Sequence, residues 1–399
     1  MKLSKKISQI TPSGTVILAQ RARELKAMGK DIIELGEGEP EFNTPEFIIE
    51  KAFKAAKKGA TKYTSVAGTL ELKTQIAKKF QTENNINYNL DQIIVGTGAK
   101  QLIFNALLAA LNLGDEVIIP APYWVSYPEM VKIADGKPVI VSCQEDEGFK
   151  LSAKDLEKAI SVNTRWVILN SPGNPSGAVY SWDELSKLSD VLRKYPDINV
   201  ICDDIYEKIV FDGTRFHSLV EVAPDLSKRT LTVNGVSKAY AMTGWRIGYA
   251  GGPSELISSM VKVQGQSTTN ASSIGQEAAL AALSGDQDFL EEWSFLYQNR
   301  RDLVSNNLGK LFGTFIYNPE GAFYHFISCK NVFGSMTKKG NYITSDIDFC
   351  NYLLEEFGVA VVPGTEFGSS GYFRLCFAKS EDHLNEACRR ITNAVNSLA

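Results

Sequence analysis

Short apolar runs alternate with segments of helical periodicity through the middle of this 399-residue chain. The runs are rich in β-branched residues and predict strands at 92–97, 115–120, 165–170, 200–203, 230–234 and 246–251. Between them, segments such as 100–113 and 183–194 place apolar residues three and four positions apart, which is helical spacing. Strands that alternate with helices build a mostly parallel sheet that helices cover on both faces. The sequence therefore predicts an α/β fold.

The end of the chain has a different pattern, in which half-buried strands and amphipathic helices are mixed. They are expected at 321–328, 373–377, 346–357 and 381–398. This pattern indicates a second, smaller α+β domain. We therefore predict an N-terminal segment at 1–45 that is part of the small domain, a large domain at 46–290, and the small C-terminal domain at 291–399.

Composition excludes several classes of protein. The chain has 42 Lys and Arg residues against 46 Asp and Glu residues, a net charge of -4, which is not the charge of a nucleic-acid binder. It has no apolar run of about 18 residues that would predict a membrane span, and its basic start lacks the apolar core of a secretory signal. The six cysteines are scattered without a C-x-x-C pair, and none of the three histidines lies at zinc-binding spacing. We expect a cytoplasmic protein with reduced thiols and no metal.

The most informative segment is GVSKAYAMTGWRIG at 235–248, directly after a predicted strand. A lysine at a strand end among small and apolar residues can be desolvated, and desolvation lowers its pKa and makes the amine nucleophilic. Lys238 is such a lysine. Arg246, eight positions later, carries a permanent planar charge that suits a phosphate. The plainer interpretation of an isolated Lys and Arg is an exposed lysine and a structural arginine.

This segment resembles the pyridoxal-phosphate attachment site of class I aminotransferases, and it matches that pattern at every position. The resemblance covers nearly the whole chain, from Thr11 to the C-terminal helix. It implies the fold of fold type I pyridoxal-phosphate-dependent transferases and a homodimer with shared active sites. It also implies that Lys238 forms the Schiff base with pyridoxal 5′-phosphate and that Arg246 binds the cofactor phosphate.

Two further motifs agree with the family's order. NSPGNPSG at 170–177 resembles a family loop in which Asn174 donates to the 3-oxygen of the cofactor, and a Pro/Gly turn after a strand is compatible with that role. DDIY ends a predicted strand, where open α/β sheets bind ligands, although an Asp there can also cap a helix. The resemblance implies that Asp203 pairs with the pyridinium nitrogen and that Tyr206, as a catalytic residue, binds the 3-oxygen.

GTGAKQ at 96–101 follows a strand and opens a helix, but it lacks the third glycine of a dinucleotide-binding loop. A helix N-terminus still favours an anion. The resemblance implies that the backbone amides of Gly98 and Ala99 bind the cofactor phosphate. Trp124 resembles the aromatic residue that stacks on the pyridine ring, although tryptophan is also common as core filler. Tyr63 resembles the tyrosine that reaches the phosphate in the neighbouring subunit, and an ordinary surface tyrosine remains the alternative.

Substrate contacts follow from the same resemblance. Arg374, in YFRLCF, resembles the arginine that binds the substrate α-carboxylate, for which bidentate geometry is suited; an ordinary strand arginine is the alternative. Gly38 opens GEPEFNTP, which resembles a family motif whose first glycine approaches that carboxylate. Trp124 and Asn174 are expected to contact the substrate as well as the cofactor.

The chain most resembles the bacterial aspartate aminotransferases that include prephenate-accepting members. In that subgroup a lysine at the position of Lys100 meets the distal carboxylate, with hydroxyls from Ser13 and Thr15. The alternative for Lys100 is a solvent-facing lysine in the first helical turn. Some prephenate-using relatives carry a basic residue where this chain has Thr11.

A Schiff-base lysine, an acid beneath the pyridinium and an arginine for a carboxylate together indicate an enzyme that acts on amino acids. We predict an aminotransferase that converts L-aspartate and 2-oxoglutarate to oxaloacetate and L-glutamate. The reaction would follow ping-pong kinetics through pyridoxamine phosphate. Lys238 would act as general base and then as general acid. The first alternative is a prephenate or broader dicarboxylic and aromatic aminotransferase. A pyridoxal-phosphate lyase or synthase on the same fold also stays open. The balanced charge argues against a third alternative, a non-catalytic regulator that binds the cofactor.

Overall fold

The structure is a computed structural model that describes residues 4, 6–11, 14–312 and 317–399. Its strands are β1 (Ile33–Glu34), β2 (Ile93–Gly96), β3 (Glu116–Ala121), β4 (Lys137–Ser142), β5 (Thr164–Asn170), β6 (Asn199–Asp203), β7 (Thr230–Gly235), β8 (Gly248–Gly251), β9 (Tyr324–Ser328), β10 (Val359–Ala360), β11 (Val362–Pro363) and β12 (Tyr372–Cys376). Its α-helices are α1 (Gly14–Ala27), α2 (Glu46–Lys57), α3 (Leu70–Asn84), α4 (Ala99–Ala110), α5 (Ser126–Ile133), α6 (Ala153–Ala159), α7 (Trp182–Lys194), α8 (Leu219–Val222), α9 (Ser254–Gly265), α10 (Ser273–Ser284), α11 (Asp288–Leu308), α12 (Asp346–Phe357) and α13 (Glu381–Asn396).

The central sheet has the strand order β2-β8-β7-β6-β5-β3-β4. Its inner neighbours pair in parallel, and β8 alone among these strands runs antiparallel to both β7 and β2. Each strand predicted for the middle of the chain is present within two residues of its predicted ends. β4 was not predicted, because it lies at the sheet edge and reads KPVIVS, with a charged and a proline residue at its start.

A second layer forms at the end of the chain, where β11, β12 and β9 make an antiparallel sheet. The N-terminal part packs against this end of the chain, because β1 pairs in parallel with β10 in a separate two-stranded sheet, with Ile33 opposite Val359. Leu35 and Ile33 pack in the same apolar core as Phe349 and Phe373. These contacts associate the N-terminal segment with the C-terminal elements, while the three boundaries given above stay predictions.

The parallel strands bring chemically active residues to one edge of the sheet. β5, β6 and β7 end at Asn170, Asp203 and Gly235, and the carboxyl ends of parallel strands face the same side. The antiparallel β8 begins at that edge, so the residues just before Gly248 also lie there. The helix α4 starts three residues after β2 ends. The edge is therefore a meeting point for segments that are far apart in sequence.

Two further features follow from the packing. All six cysteines are buried and have free thiols. Among the described residues, no helix is both long enough and apolar enough to cross a membrane.

The aromatic packing of the second layer can be tested with Phe373→Ala. Phe373 is fully buried, and its ring lies 5.6 Å from those of Phe312 and Phe349. Removing it leaves a cavity, so we expect the free energy of unfolding in urea to fall by about 3–5 kcal/mol. Phe295→Ala is the control, since Phe295 is 62% exposed. Equal losses in both variants would contradict this account of the core.

Candidate active site

A cavity of about 520 Å³ opens at this edge of the sheet. Its lining includes predicted residues from all parts of the chain, namely Gly38, Ala99, Lys100, Trp124, Asn174, Asp203, Tyr206, Lys238, Arg246 and Arg374. The structure therefore brings together residues that are separated by as many as several hundred positions, which makes this cavity the candidate active site.

Lys238 lies three residues beyond the end of β7, and its Nζ donates a hydrogen bond of 2.7 Å to the carbonyl oxygen of Gly38. Burial lowers the pKa of the Lys238 amine from 10.5 to about 8. The nearby positive charges of Arg374 and Arg246 act in the same direction. The amine can thus lose its proton close to neutral pH, which a nucleophilic or proton-transferring lysine requires.

Asp203 ends β6 and is 4% exposed. Its Oδ2 accepts a hydrogen bond of 2.6 Å from the Tyr127 hydroxyl, whereas its Oδ1 is buried with no hydrogen-bond partner in the described part of the chain. Burial raises the pKa of Asp203 to about 6, and the Tyr127 hydrogen bond opposes that rise. Asp203 is therefore largely ionised at neutral pH and has one oxygen free to pair with a cationic N–H group.

Asn174 and Arg374 form one polar network. Arg374, on β12, donates from Nη1 to Asn174 Oδ1 at 2.8 Å and from Nη2 to the Gly36 carbonyl at 2.5 Å. The loop of Asn174 is held by Asn170, whose Oδ1 accepts from the Asn174 amide at 2.8 Å. Arg374 is 3% exposed, and its Nε lacks a partner among the described residues. A buried guanidinium with an unused donor is suited to an incoming carboxylate.

Tyr206 pairs with a second tyrosine across the cavity. Its Oη lies 2.7 Å from Tyr324 Oη, and Tyr324 belongs to β9 in the other sheet. Burial raises the pKa of Tyr206 well above its ordinary value, so the hydroxyl stays protonated and can donate. A Cβ at Gly38 would lie 2.1 Å from Tyr324 Oη, which explains why glycine occupies that position.

The N-terminus of α4 and Arg246 form a cationic cradle. Gly98 caps α4 with φ of 86°, a conformation that favours glycine. A Cβ at Gly98 would lie 2.5 Å from Arg246 Nη2, so the guanidinium lies directly against this turn. Arg246 itself adopts φ of 58°, and its Nη1 donates to the Thr243 carbonyl at 2.9 Å. A helix N-terminus beside a guanidinium favours an anion, although the Gly98 amide already donates to the Gly96 carbonyl at 2.8 Å.

Lys100 lies in the first turn of α4, and its Nζ is 4.6 Å from the centre of the Trp124 ring. Partial burial lowers the pKa of Lys100, and the positive charge of Arg246 lowers it further. A lysine at a helix N-terminus is electrostatically unfavourable unless an anion binds nearby. Lys100 and Trp124 both line the cavity, and their predicted contacts with the substrate and the cofactor stay predictions.

The structure does not bring Tyr63 to the cavity. Tyr63 is 89% exposed and lies outside the cavity lining. Ser13 lies outside the described residues, and so does the side chain of Thr15, although the backbone of Thr15 belongs to α1. Their predicted roles stay predictions.

Sequence reasoning missed Tyr127, Tyr324 and Arg23. Tyr127 and Tyr324 support Asp203 and Tyr206, and Arg23 on α1 lines the cavity with its Nη1 3.5 Å from Glu37 Oε1. Tyr127 lies in the same segment as Trp124, and its distance of three positions from Trp124 is the only signal that could have suggested it. Nothing near Tyr324 or Arg23 in the sequence indicates their contacts.

A family model described as aminotransferase class I and II matches residues 30–391. The chain belongs to this family. The aminotransferase is 52% identical over 397 residues to a probable aspartate/prephenate aminotransferase of Rickettsia felis, with 100% of this chain and 97% of that protein covered. It is also 52% identical to an aspartate aminotransferase of Rhizobium meliloti, with 99% of this chain and 97% of that protein covered.

Solved structures agree with this membership. The aspartate aminotransferase from Rhizobium meliloti superposes with a TM-score of 0.97 at 52% identity, with 100% of both chains covered. The aspartate aminotransferase from Thermus thermophilus with maleate has a TM-score of 0.92 at 40% identity, covering 99% of this chain and 100% of that one. These findings confirm the predicted class I aminotransferase and its fold type I architecture.

The lowered pKa of Lys238 predicts a distinctive reactivity. In ligand-free aminotransferase, acetylation of Lys238 by a trace of acetic anhydride should follow a titration with its midpoint near pH 8, because burial lowers its pKa to about 8. Mass spectrometry of the digest reads the extent of labelling at each pH, and exposed Lys58 in the same digest is the reference. A midpoint for Lys238 near the ordinary lysine value of 10.5 would contradict the burial argument.

Proposed function

We propose that this aminotransferase is a pyridoxal-phosphate-dependent aspartate aminotransferase, which converts L-aspartate and 2-oxoglutarate to oxaloacetate and L-glutamate in a ping-pong reaction. One observation carries the proposal. A lysine of lowered pKa, the unpaired oxygen of Asp203 and the cationic cradle of Arg246 all face one cavity, and Arg374 also lines it. The relatives named aspartate aminotransferase support the same substrate.

The residues present fit pyridoxal 5′-phosphate. The free Oδ1 of Asp203 is an acceptor for the pyridinium N–H, and the turn at Gly98 leaves no room for a side chain against Arg246, as a phosphate cradle requires. Gly98 and Ala99 would supply amide donors to the phosphate, and Trp124 would stack on the ring. Asn174 and Tyr206 would donate to the 3-oxygen. When bound, the cofactor supplies an electron-withdrawing ring that stabilises negative charge on the Cα of the amino acid.

Lys238 is the residue that moves the proton. Its amine, with a pKa of about 8, can accept the substrate's Cα proton near neutral pH and donate it again as general acid. The carbonyl of Gly38 holds the amine in the cavity, 2.7 Å away. Arg374 would orient the substrate by binding its α-carboxylate in place of the Gly36 carbonyl, with Gly38 alongside.

Lys100 is the residue best placed to recognise the distal carboxylate of aspartate. It is a cation at the cavity wall, and its position beside Trp124 keeps its ammonium near the cavity. Ser13 and Thr15 are proposed to add hydroxyl donors to the same carboxylate. The relative named aspartate/prephenate aminotransferase supports a second candidate, an enzyme that also takes prephenate as amino acceptor.

We also propose a homodimer in which Tyr63 reaches the cofactor phosphate bound by the partner subunit. Its 89% exposure leaves the side chain available to a neighbour. Ile49, Phe53 and Leu70 are exposed apolar residues from the same region of the chain, and such residues favour a protein contact. The six free thiols suit the reducing cytoplasm, where we propose that the enzyme works.

A spectral titration tests the function. Purified protein loaded with pyridoxal phosphate should show a visible absorbance band that L-aspartate converts to the ultraviolet band of pyridoxamine phosphate, and 2-oxoglutarate should restore it. Lys238→Ala should retain part of its cofactor affinity through Arg246 but lose this conversion. Repeated turnover of aspartate without an oxo acid would indicate a lyase instead. No band after reconstitution, or normal turnover by Lys238→Ala, would contradict the proposal.

A second variant tests substrate recognition. Lys100→Met removes the charge but keeps an apolar chain of similar length over Trp124. Losing a charge-assisted contact of about 1.5–3 kcal/mol should raise the KM for L-aspartate about 10–100-fold, and leave the KM for L-phenylalanine nearly unchanged. Lys58→Met, at an exposed position, is the matched control. An equal rise in KM for both amino acids would show that Lys100 does not bind the distal carboxylate. The second candidate is tested with the wild type, by replacing 2-oxoglutarate with prephenate as amino acceptor.

A further inference from the structure

A buried polar cluster lies behind the cavity, outside its lining. Lys79 and Asn84, both on α3, and Glu207 are 2%, 4% and 8% exposed. Lys79 Nζ pairs with Glu207 Oε1 and donates to Asn84 Oδ1 at 2.7 Å, and Asn84 Nδ2 donates to Glu207 Oε2 at 2.8 Å. The three side chains thus form a closed triangle, which we call the α3 clamp.

The charges of the α3 clamp are costly to bury. Removing a lysine and a glutamate from water costs several kcal/mol each, and apolar residues of equal volume are often as stabilising as the ion pair. Burial raises the pKa of Glu207, but the charges of Lys79 and Lys208 outweigh that effect, so the net shift is downward and the carboxylate is ionised. General stability does not account for such a pair, whereas a need to hold one segment in one position does.

The α3 clamp holds the loop after β6, which carries Asp203 and Tyr206 of the candidate active site. Glu207 directly follows Tyr206, and Asp203 lies at the start of the same loop. Within the loop the Glu207 amide donates to the Asp204 carbonyl at 3.0 Å, and the Asp204 amide donates to Val233 of β7 at 2.9 Å. The loop is therefore tied to β7 at one end and to α3 at the other.

Tyr206 depends on this placement. Its hydroxyl lies 2.7 Å from that of Tyr324, a distance that a shift of about 1 Å would break. The side chain of Tyr206 has no other hydrogen bond among the described residues that would hold it from the loop side. Its ring packs edge-on against Phe323 at 5.3 Å, so this contact and the backbone of the loop together set where the hydroxyl lies.

We propose that the α3 clamp is a positioning device that sets the hydroxyl of Tyr206 against the 3-oxygen of the bound cofactor. Lys79, Asn84 and Glu207 do not touch the reacting atoms; they act through the backbone of the loop that follows β6. This inference rests on the proposed function, because that function assigns the 3-oxygen to Tyr206.

The test uses the loaded enzyme and reads a property that packing alone does not change. A hydroxyl that donates to the 3-oxygen stabilises the deprotonated Lys238–cofactor linkage, so its displacement raises the pH midpoint of the absorbance change. With a lost hydrogen bond of about 0.5–1.5 kcal/mol, Lys79→Met should raise that midpoint by about 0.5–1 pH unit. It should also lower kcat about tenfold or more, with little change in the KM for aspartate.

A double-mutant cycle with Tyr206→Phe separates positioning from stability. Tyr206→Phe should raise the midpoint by itself, and adding Lys79→Met should then raise it no further, because both changes remove the same contact. Glu207→Gln keeps the shape and the bond to Asn84, and serves if Lys79→Met does not fold; we expect a smaller shift in the same direction. Glu71→Gln, at an exposed position of α3, is the matched control and should leave the midpoint unchanged.

The outcomes are distinguishable. If the wild type shows the aspartate-dependent spectral change but Lys79→Met and Glu207→Gln keep its midpoint and kcat and lose only thermal stability, the positioning role is wrong and the clamp is structural. Additive shifts in the Tyr206→Phe background would overturn it as well. If the wild type itself shows no cofactor band, the proposed function fails, and a structure of Glu207→Gln then decides whether Tyr206 moves away from Tyr324.

Discussion

The parallel alignment of β3, β5, β6 and β7 is the constraint on which the rest of the structure depends. Parallel strands end at the same edge of a sheet, so each strand that leaves the core delivers its next residues to one place. Asp203 ends β6, Asn174 follows β5, and Lys238 follows β7. The reversal of β8 brings Arg246 to the same edge, because an antiparallel strand begins where its neighbours end.

The site contains buried charged groups of both signs, and each of them depends on its neighbours to stay charged there. Burial lowers the pKa of the Lys238 amine and raises that of Asp203, so both titrate closer to neutral pH than they would in water. Arg374 offsets its own burial through the carbonyl of Gly36 and the amide oxygen of Asn174. Cations outnumber anions around the cavity, and in the proposed reaction the phosphate and the substrate carboxylates supply the missing negative charge.

The N-terminal segment and the C-terminal layer supply the part of the cavity wall that the central sheet does not form. The pairing of β1 with β10 carries the chain to residues 36–38, where two carbonyls meet Arg374 and Lys238. The aromatic β9 places Tyr324 opposite Tyr206. A helix of the first layer, α3, holds the loop of Tyr206 from behind through Lys79. The cavity is thus closed by elements from three separate parts of the chain.

The alternation of strands and helices could be predicted from the sequence, and so could the segment with Lys238 and Arg246 and the loops with Asn174 and Asp203. These are local signals, because strand, helix and turn preferences act over a few residues, and short spacings carry the resemblance to the family. Tertiary structure alone decided the contacts of Tyr127 with Asp203, Tyr324 with Tyr206, and Lys79 with Glu207. The partners in these pairs lie 76, 118 and more than a hundred positions apart, and each pair forms only after the sheet and its helices have packed. The lowered pKa of Lys238 has the same origin, since burial is a property of the assembled fold and not of the residues beside it.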